Sequence, residues 1–332
     1  MSDNGWPALP SDEWFDTLET VHLWTQVVGK IRMVRSPWIN HSWGVTLYVS
    51  PTGLRTSLIP YDDEGFEWSF DFVDHHLDLT TSRGQHVRLD LVPMTVADFH
   101  AAVLEAMSSV GMPVTINPMP NEIADAVPFT EDVAHASYAR AHVEAWWRAL
   151  LQAQRVFTRF RAGFLGKASP VHFFWGSFDL AVTRFSGRTA PPHGGGLPNF
   201  PDDVAREAYS HEVTSVGFWP GTRASPEPIF YAYAYPTPPE FASATVEPEA
   251  AFWLAELGEF ALPYAAVASS ADPDADLLAF FESTHAAAAD LAEWDRGALE
   301  CGEPHGPDWW RGRPHDEPVR VDVAAEPGAG VV

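Results

Sequence analysis

The densest polar run in the chain is Arg206-Glu207-Ala208-Tyr209-Ser210-His211-Glu212-Val213. A histidine flanked by carboxylates can move protons near neutral pH, because imidazole titrates there, and its neutral form can also bind a metal ion. Ser215 occupies the place of the second histidine in a His-Glu-x-x-His zinc motif, so that pattern is absent. A looser metal site would combine His211 with His193, and plain structural pairing among Arg206, Glu207, His211 and Glu212 is the third use of the same residues.

The second candidate run spans 169–185 and is apolar on both strand faces, yet it carries His172, Ser177, Asp179 and Arg184. Polar groups in such a setting need partners, since an unpaired buried charge costs several kcal/mol. Read as one central strand, period two points His172 and Arg184 one way and Ser177 and Asp179 the other, unless Gly176 introduces a bulge. Together the runs nominate His172, Asp179, His211 and Glu212 for acid/base chemistry. Arg184 and Arg188 would hold an anionic group, and Glu207, Trp175 and Tyr209 would complete the wall. The aromatic residues Trp38, Trp43, Trp219, Tyr231, Tyr233 and Tyr235 fill a core or stack on a ring-bearing ligand.

Two further patterns carry weaker chemistry. Asp74, His76 and Asp78 share a strand face, but three ligands from one strand stand too far apart to converge on a metal without outside partners. His193-Gly194-Gly195-Gly196 evokes an esterase oxyanion loop, but no Gly-x-Ser-x-Gly elbow accompanies it; a lid beside a site, held by Pro191, Pro192, Pro198 and Pro201, is the remaining use.

The elements that must position these residues alternate in type. Ser11-Asp12-Glu13 precedes Trp14, Leu18, Val21, Thr25 and Val28 at 3/4 spacing, predicting an amphipathic helix that ends before Ser36-Pro37. Strands are expected over 43–49, 54–59, 66–73 and 87–92, then a helix over 97–110 capped by Thr95. A proline-rich but anchored crossover leads to a long helix over 131–164, with Arg148, Arg155 and Arg159 on its polar side. Strands at 173–185, 213–219, 229–235 and 252–267 and a helix at 276–294 then repeat the order. Short echoes, such as Thr56-Ser57-Leu58 against Thr214-Ser215-Val216, suggest an internal duplication. The expected class is α+β, in two pseudo-repeated halves, each a mainly antiparallel sheet with packed helices. The segments are 1–35 (helix), 36–130 (first half and crossover), 131–168 (long helix), 169–300 (second half) and 301–332 (a disordered tail).

Composition bounds the function. The 332 residues are 46% hydrophobic, enough for a large core, and carry a formal charge of −25, which repels nucleic acid and anionic lipid. Lys30 and Lys167 are the only lysines among 20 basic residues. One cysteine, Cys301, allows no internal disulfide, and no apolar run or leader of the exported type is seen, which predicts a cytoplasmic protein without a membrane span. The expected partner is an unidentified small molecule, anionic or ring-bearing, with acid/base chemistry and no cofactor. A metal-assisted hydrolase and a non-catalytic assembly protein, for which an oligomer is natural, are the alternatives.

The runs Thr25-Gln26-Val27-Val28-Gly29-Lys30, 169–188, 206–213 and Phe230-Tyr231-Ala232-Tyr233-Ala234-Tyr235 resemble a bacterial family of conserved proteins known only as a domain of unknown function. The resemblance runs from about Trp6 to Glu300 and implies that 169–188 and 206–213 are family hallmarks. His193-Gly194-Gly195-Gly196 and Ala265 depart from the usual wording, and the resemblance brings no mechanism.

Overall fold

In the computed structural model, residues 5–9 and 14–301 are described. Ser11-Asp12-Glu13 and the tail from residue 302 onward, two segments of the sequence reading, lie outside them. The chain is an α+β protein with two antiparallel sheets. Helix α1 (Phe15–Arg35) is followed by strands β1 (Tyr48–Val49), β2 (Gly53–Arg55), β3 (Ile59–Tyr61), β4 (Glu64–Asp71), β5 (His76–Thr81) and β6 (His86–Asp90). These form the first sheet, in the order β1-β2-β4-β5-β6 with β3 also on β4. Helices α2 (Val96–Ser109) and α3 (Arg140–Ala162) come next. The second sheet holds β7 (His172–Phe174), β8 (Asp179–Thr189), β9 (His211–Trp219), β10 (Ile229–Tyr235), β11 (Phe252–Leu254) and β12 (Glu259–Pro263), ordered β11-β12-β10-β9-β8-β7. Helix α4 (Asp202–Ala208) precedes β9, and α5 (Tyr264–Ala268), α6 (Pro273–Leu291) and α7 (Arg296–Leu299) follow β12.

Several sequence expectations change; β5 is a strand outside the expected spans, and residues 264–267, expected within a strand, belong to α5. Residues 172–185 are a hairpin rather than one strand: β7 and β8 are antiparallel, with Phe174 opposite Asp179, and Phe178 at φ 60° turns the chain between them. Pairing across the hairpin sets His172 and Asp179 on one face, with Arg184 on the other. The long helix begins at Arg140, not residue 131, because the Asp132 carboxylate accepts from the amides of Ala134 and His135 and satisfies them outside a helix. Helix α1 is buried almost all round rather than on one face. Its polar side chains find internal partners: Gln26 bonds both the amide and the carbonyl of Asn121, Arg32 donates to Gly44 O (2.8 Å), and Thr17 meets Ser137 (3.3 Å).

Helix α1 therefore serves both halves. Trp24 stacks on Phe99 of α2 and on Tyr138, with centroids 4.6 and 5.4 Å apart, while Phe99 stacks on Phe70 of β4. Toward the second sheet, Gly29 leaves room for the Trp175 indole, which lies 2.3 Å from where a β-carbon would stand. Leu47 and Phe173 exchange backbone hydrogen bonds of 2.9 and 2.8 Å, tying the entry to β1 to the edge strand β7. One connected core runs through both halves.

The second sheet separates its faces by parity. The even-numbered Leu180, Val182, Val216, Phe218 and Phe230 pack toward α3 and α6, where Phe230 meets Phe281 edge-on and Thr214 bonds His285 Nδ1 (2.7 Å). The odd-numbered residues face the other way and form the floor of a cavity.

Candidate functional site

The cavity has a volume of about 650 Å³. Its floor is Asp179, Ala181, Thr183 and Phe185 of β8, Val213, Ser215 and Trp219 of β9, Ile229, Tyr231 and Tyr233 of β10, and Glu259 of β12. The period of two turns these neighbours in space into a single surface. The roof comes from the end of α1 (Lys30), the turn around Trp38–Trp43, the crossover at Asn121-Glu122, the 197–201 loop and α4. The crossover and loop are tied together, since Glu122 N donates to Pro198 O (2.9 Å) and Asn199 Nδ2 to Ile123 O (2.8 Å).

Asp179, at the start of β8, is 5% exposed on the floor. Both of its oxygens are taken: Ser177 Oγ donates to one and Tyr231 Oη to the other. Tyr231 reaches across β9 because residue 217 is glycine; a β-carbon there would stand 2.0 Å from Tyr231 Cζ. Beside this trio runs a second chain of hydroxyls, in which Tyr209 Oη meets Tyr233 Oη (3.0 Å) and Thr183 Oγ1 meets Ser215 Oγ (2.8 Å). Burial raises the Asp179 carboxyl, and the two hydroxyl donors hold it back. Glu122 and Glu259 are pushed up to about 7 by burial and then by the charge of Asp179. Three carboxyls thus share one cavity, two of them half-protonated near neutral pH. Glu122 sits at φ 61° with its carboxylate against Gly176, where a β-carbon would lie 2.0 Å from Oε1.

On the roof beside Glu122 stands Lys30, 2% exposed, donating to Asn121 Oδ1 (2.5 Å). Burial lowers its amine to about 8. Near the cavity wall, His41 takes three partners. Its amide donates to both Glu207 oxygens (3.0 and 2.9 Å), its Nδ1 donates to Ala208 O (2.7 Å), and its Nε2 accepts from Lys167 (2.7 Å).

Of the residues nominated from sequence, Asp179, Trp175 and Tyr209 line this cavity, as do the candidate stacking residues Trp38, Trp43, Trp219, Tyr231 and Tyr233, while Tyr235 lies outside it. Glu207 instead clamps the backbone at His41. His211 bonds Ser210 and lies edge-on to His41, with ring centroids 6.0 Å apart. His172 is sealed beside Arg32 and Arg161, its imidazole lowered to about 3 by burial and those charges. Arg184, on the helix-facing side of β8, donates to Phe160 O and to Glu282 of α6. Arg188 and Glu212 pair (2.7 Å) in a separate cleft of about 380 Å³ beside Pro236 and Trp294, and Arg188 also donates to Ala292 O near the end of α6. His193 stacks on Tyr209 (4.6 Å), while Gly196 N bonds Asp202, so the glycine loop is anchored to a lining residue and to α4. Asp78 gathers His76, His86 and Arg88 on the first sheet. Among the described residues, no group of three or more His, Cys, Asp or Glu is arranged to hold a metal ion.

Lys30, Asn121, Glu122, Ser215 and Glu259 were not singled out from sequence as site residues. Only Lys30 had a signal, its rarity; the others sit on a crossover, a mid-strand and a strand start that period and motif do not mark.

No helix among the described residues is long and apolar enough to cross a membrane. No curated protein and no solved structure matches the chain. The model of the family of unknown function (DUF5996) matches residues 6–301, which takes in both sheets, the crossover and every residue of the cavity, and the chain therefore belongs to that family.

Proposed function

We propose that the protein binds a small, ring-bearing molecule rich in hydrogen-bond donors in this cavity and exchanges protons with it through Glu122, Asp179 and Glu259. The observation that carries this reading is Asp179, gripped by Ser177 and Tyr231 on the floor of an aromatic-lined hollow. A volume of about 650 Å³ suits one small metabolite. Trp38, Trp43, Trp175, Phe200 and Trp219 offer faces for a flat ring, and carboxyls titrating near 7 both give and take protons at neutral pH. Three carboxyls against one ammonium favour a neutral or weakly basic ligand over a polyanion. The overall charge of −25 disfavours nucleic acid and anionic lipid as partners, and a cytoplasmic setting fits a single cysteine.

Thermal-shift screening against phenols, amines, sugars and nucleobases tests the reading, because a ligand of the folded state raises the midpoint by mass action. Tyr231→Phe and Asp179→Asn should weaken any hit about tenfold or more, the value of a lost buried hydrogen bond. A flat screen, or a hit bound equally by both variants, overturns it.

A further inference from the structure

We propose that Lys30 captures carbonyl compounds: its amine condenses with an aldehyde or ketone group of the molecule in the cavity, forming an imine with release of water. The inference rests on the cavity being a ligand site and names the functional group that the ligand carries.

Lys30 projects from the last third of α1 into the cavity, and its Nζ lies 5.9 Å from the Trp175 ring centre and 6.0 Å from that of Phe129. Among the described residues it makes no ion pair, and its hydrogen-bond partner is the neutral amide of Asn121. That amide is locked. Asn121 Nδ2 donates to Asn199 O (2.6 Å), and its backbone is held by Gln26, so Oδ1 is the atom presented to Lys30. A lysine kept for its charge is ordinarily paired when buried, and a guanidinium would serve that purpose as well in a chain whose other basic residues, Lys167 apart, are arginines. An amine, unlike a guanidinium, is a nucleophile once it loses its proton. Desolvation supplies that condition: with an amine near 8, about a quarter of the molecules are unprotonated at about pH 7.5, against about one in a thousand for solvated lysine.

The atoms balance with groups already in the cavity. The Nζ lone pair attacks the carbonyl carbon, the N–C bond forms, and a proton passes from nitrogen to oxygen to give the carbinolamine. Its C–O bond then breaks as the hydroxyl takes a proton from a carboxyl and leaves as water. The resulting iminium returns one proton to that carboxylate, so the net change is amine plus carbonyl to imine plus water. Glu122, next in sequence to Asn121, lines the same cavity and is half-protonated near 7, so it is suited to both transfers.

The test uses the full chain with 4-hydroxybenzaldehyde and cyanoborohydride, followed by digestion and mass spectrometry; with two lysines and the chain's α-amine, each adduct is assigned directly. The expected result is hydroxybenzylation of Lys30 about tenfold or more faster than of Lys167, with a rate that rises through about pH 8. Alcohol binding to the native protein is read by tryptophan fluorescence; excess 4-hydroxybenzyl alcohol should suppress the Lys30 adduct alone, and Glu122→Gln, shown to be folded by its thermal melt, should slow trapping at Lys30 without slowing it at Lys167. Labelling of Lys30 no faster than of Lys167 overturns the proposal. If the alcohol nonetheless binds, the cavity reading stands without imine chemistry; if neither reagent engages, both readings fall.

Discussion

Burial raises all three cavity carboxyls. Glu122 and Glu259 have folded values near 7 against about 4.5 when solvated, so the folded state holds more protons than the unfolded state across that window. Stability from these groups is complete below about pH 4.5 and is lost as pH rises through 7. Buried His22 and His172, lowered to about 4 and 3, work in the opposite sense between those values and 6.5, so the slope of the native protein alone is not diagnostic. The difference between variant and native protein is. Glu122→Gln and Glu259→Gln should each stabilise by about 1–2 kcal/mol at about pH 8, allowing for their partial exposure, and by almost nothing at about pH 4.5. Paired thermal melts at the two pH values check this, and a gain independent of pH would mean that the carboxyls are not desolvated as described.

At the scale of elements, the second sheet earns its cavity face by anchoring the other. Arg184 is 1% exposed and joins β8 to α3 through Phe160 O and to α6 through Glu282, whose own side chain is 46% exposed. Its guanidinium also lies over the Phe160 ring, 3.5 Å from the centroid. Removing it takes the charged donor from the Phe160 carbonyl, which keeps Gly163 N (3.2 Å), and strips the cation from the Phe160 ring, but leaves Glu282 access to water. Arg184→Met should therefore cost about 2–4 kcal/mol of stability, while a cavity ligand binds with unchanged affinity in isothermal titration below the melting range. Loss of affinity without loss of stability would instead make Arg184 a ligand contact. The same division explains why β7 and β8 resemble one strand in sequence: apolar residues on both faces signal a central strand, but a tight turn at residues 175–178 produces the same pattern when each arm of a hairpin is buried.

For the whole molecule, a charge of −25 on 332 residues means net self-repulsion in the folded state. Raising salt from about 10 to about 150 mM shortens the Debye length to about 8 Å and should raise the melting midpoint by a few degrees. A midpoint that stays level would show that the acidic groups are already neutralised locally, as Arg188–Glu212 and Arg155–Asp274 are. The α+β class, the antiparallel sheets, α2, β10 and the terminal helix were legible in the chain itself, because helix and strand periods and turn residues are local properties. Asp179, Trp175 and Tyr209 were also legible as unusual residues in apolar or aromatic surroundings. What decided the site was nonlocal. Parity across four strands gathers Asp179, Ser215, Tyr231 and Glu259 onto one floor, and only the packing of α1 and the crossover over it brings Lys30 and Glu122 to the same space. A linear pattern records the direction of each side chain within its own element, but not which elements close over one another, and burial, which tunes every ionisable group here, exists only once they have closed.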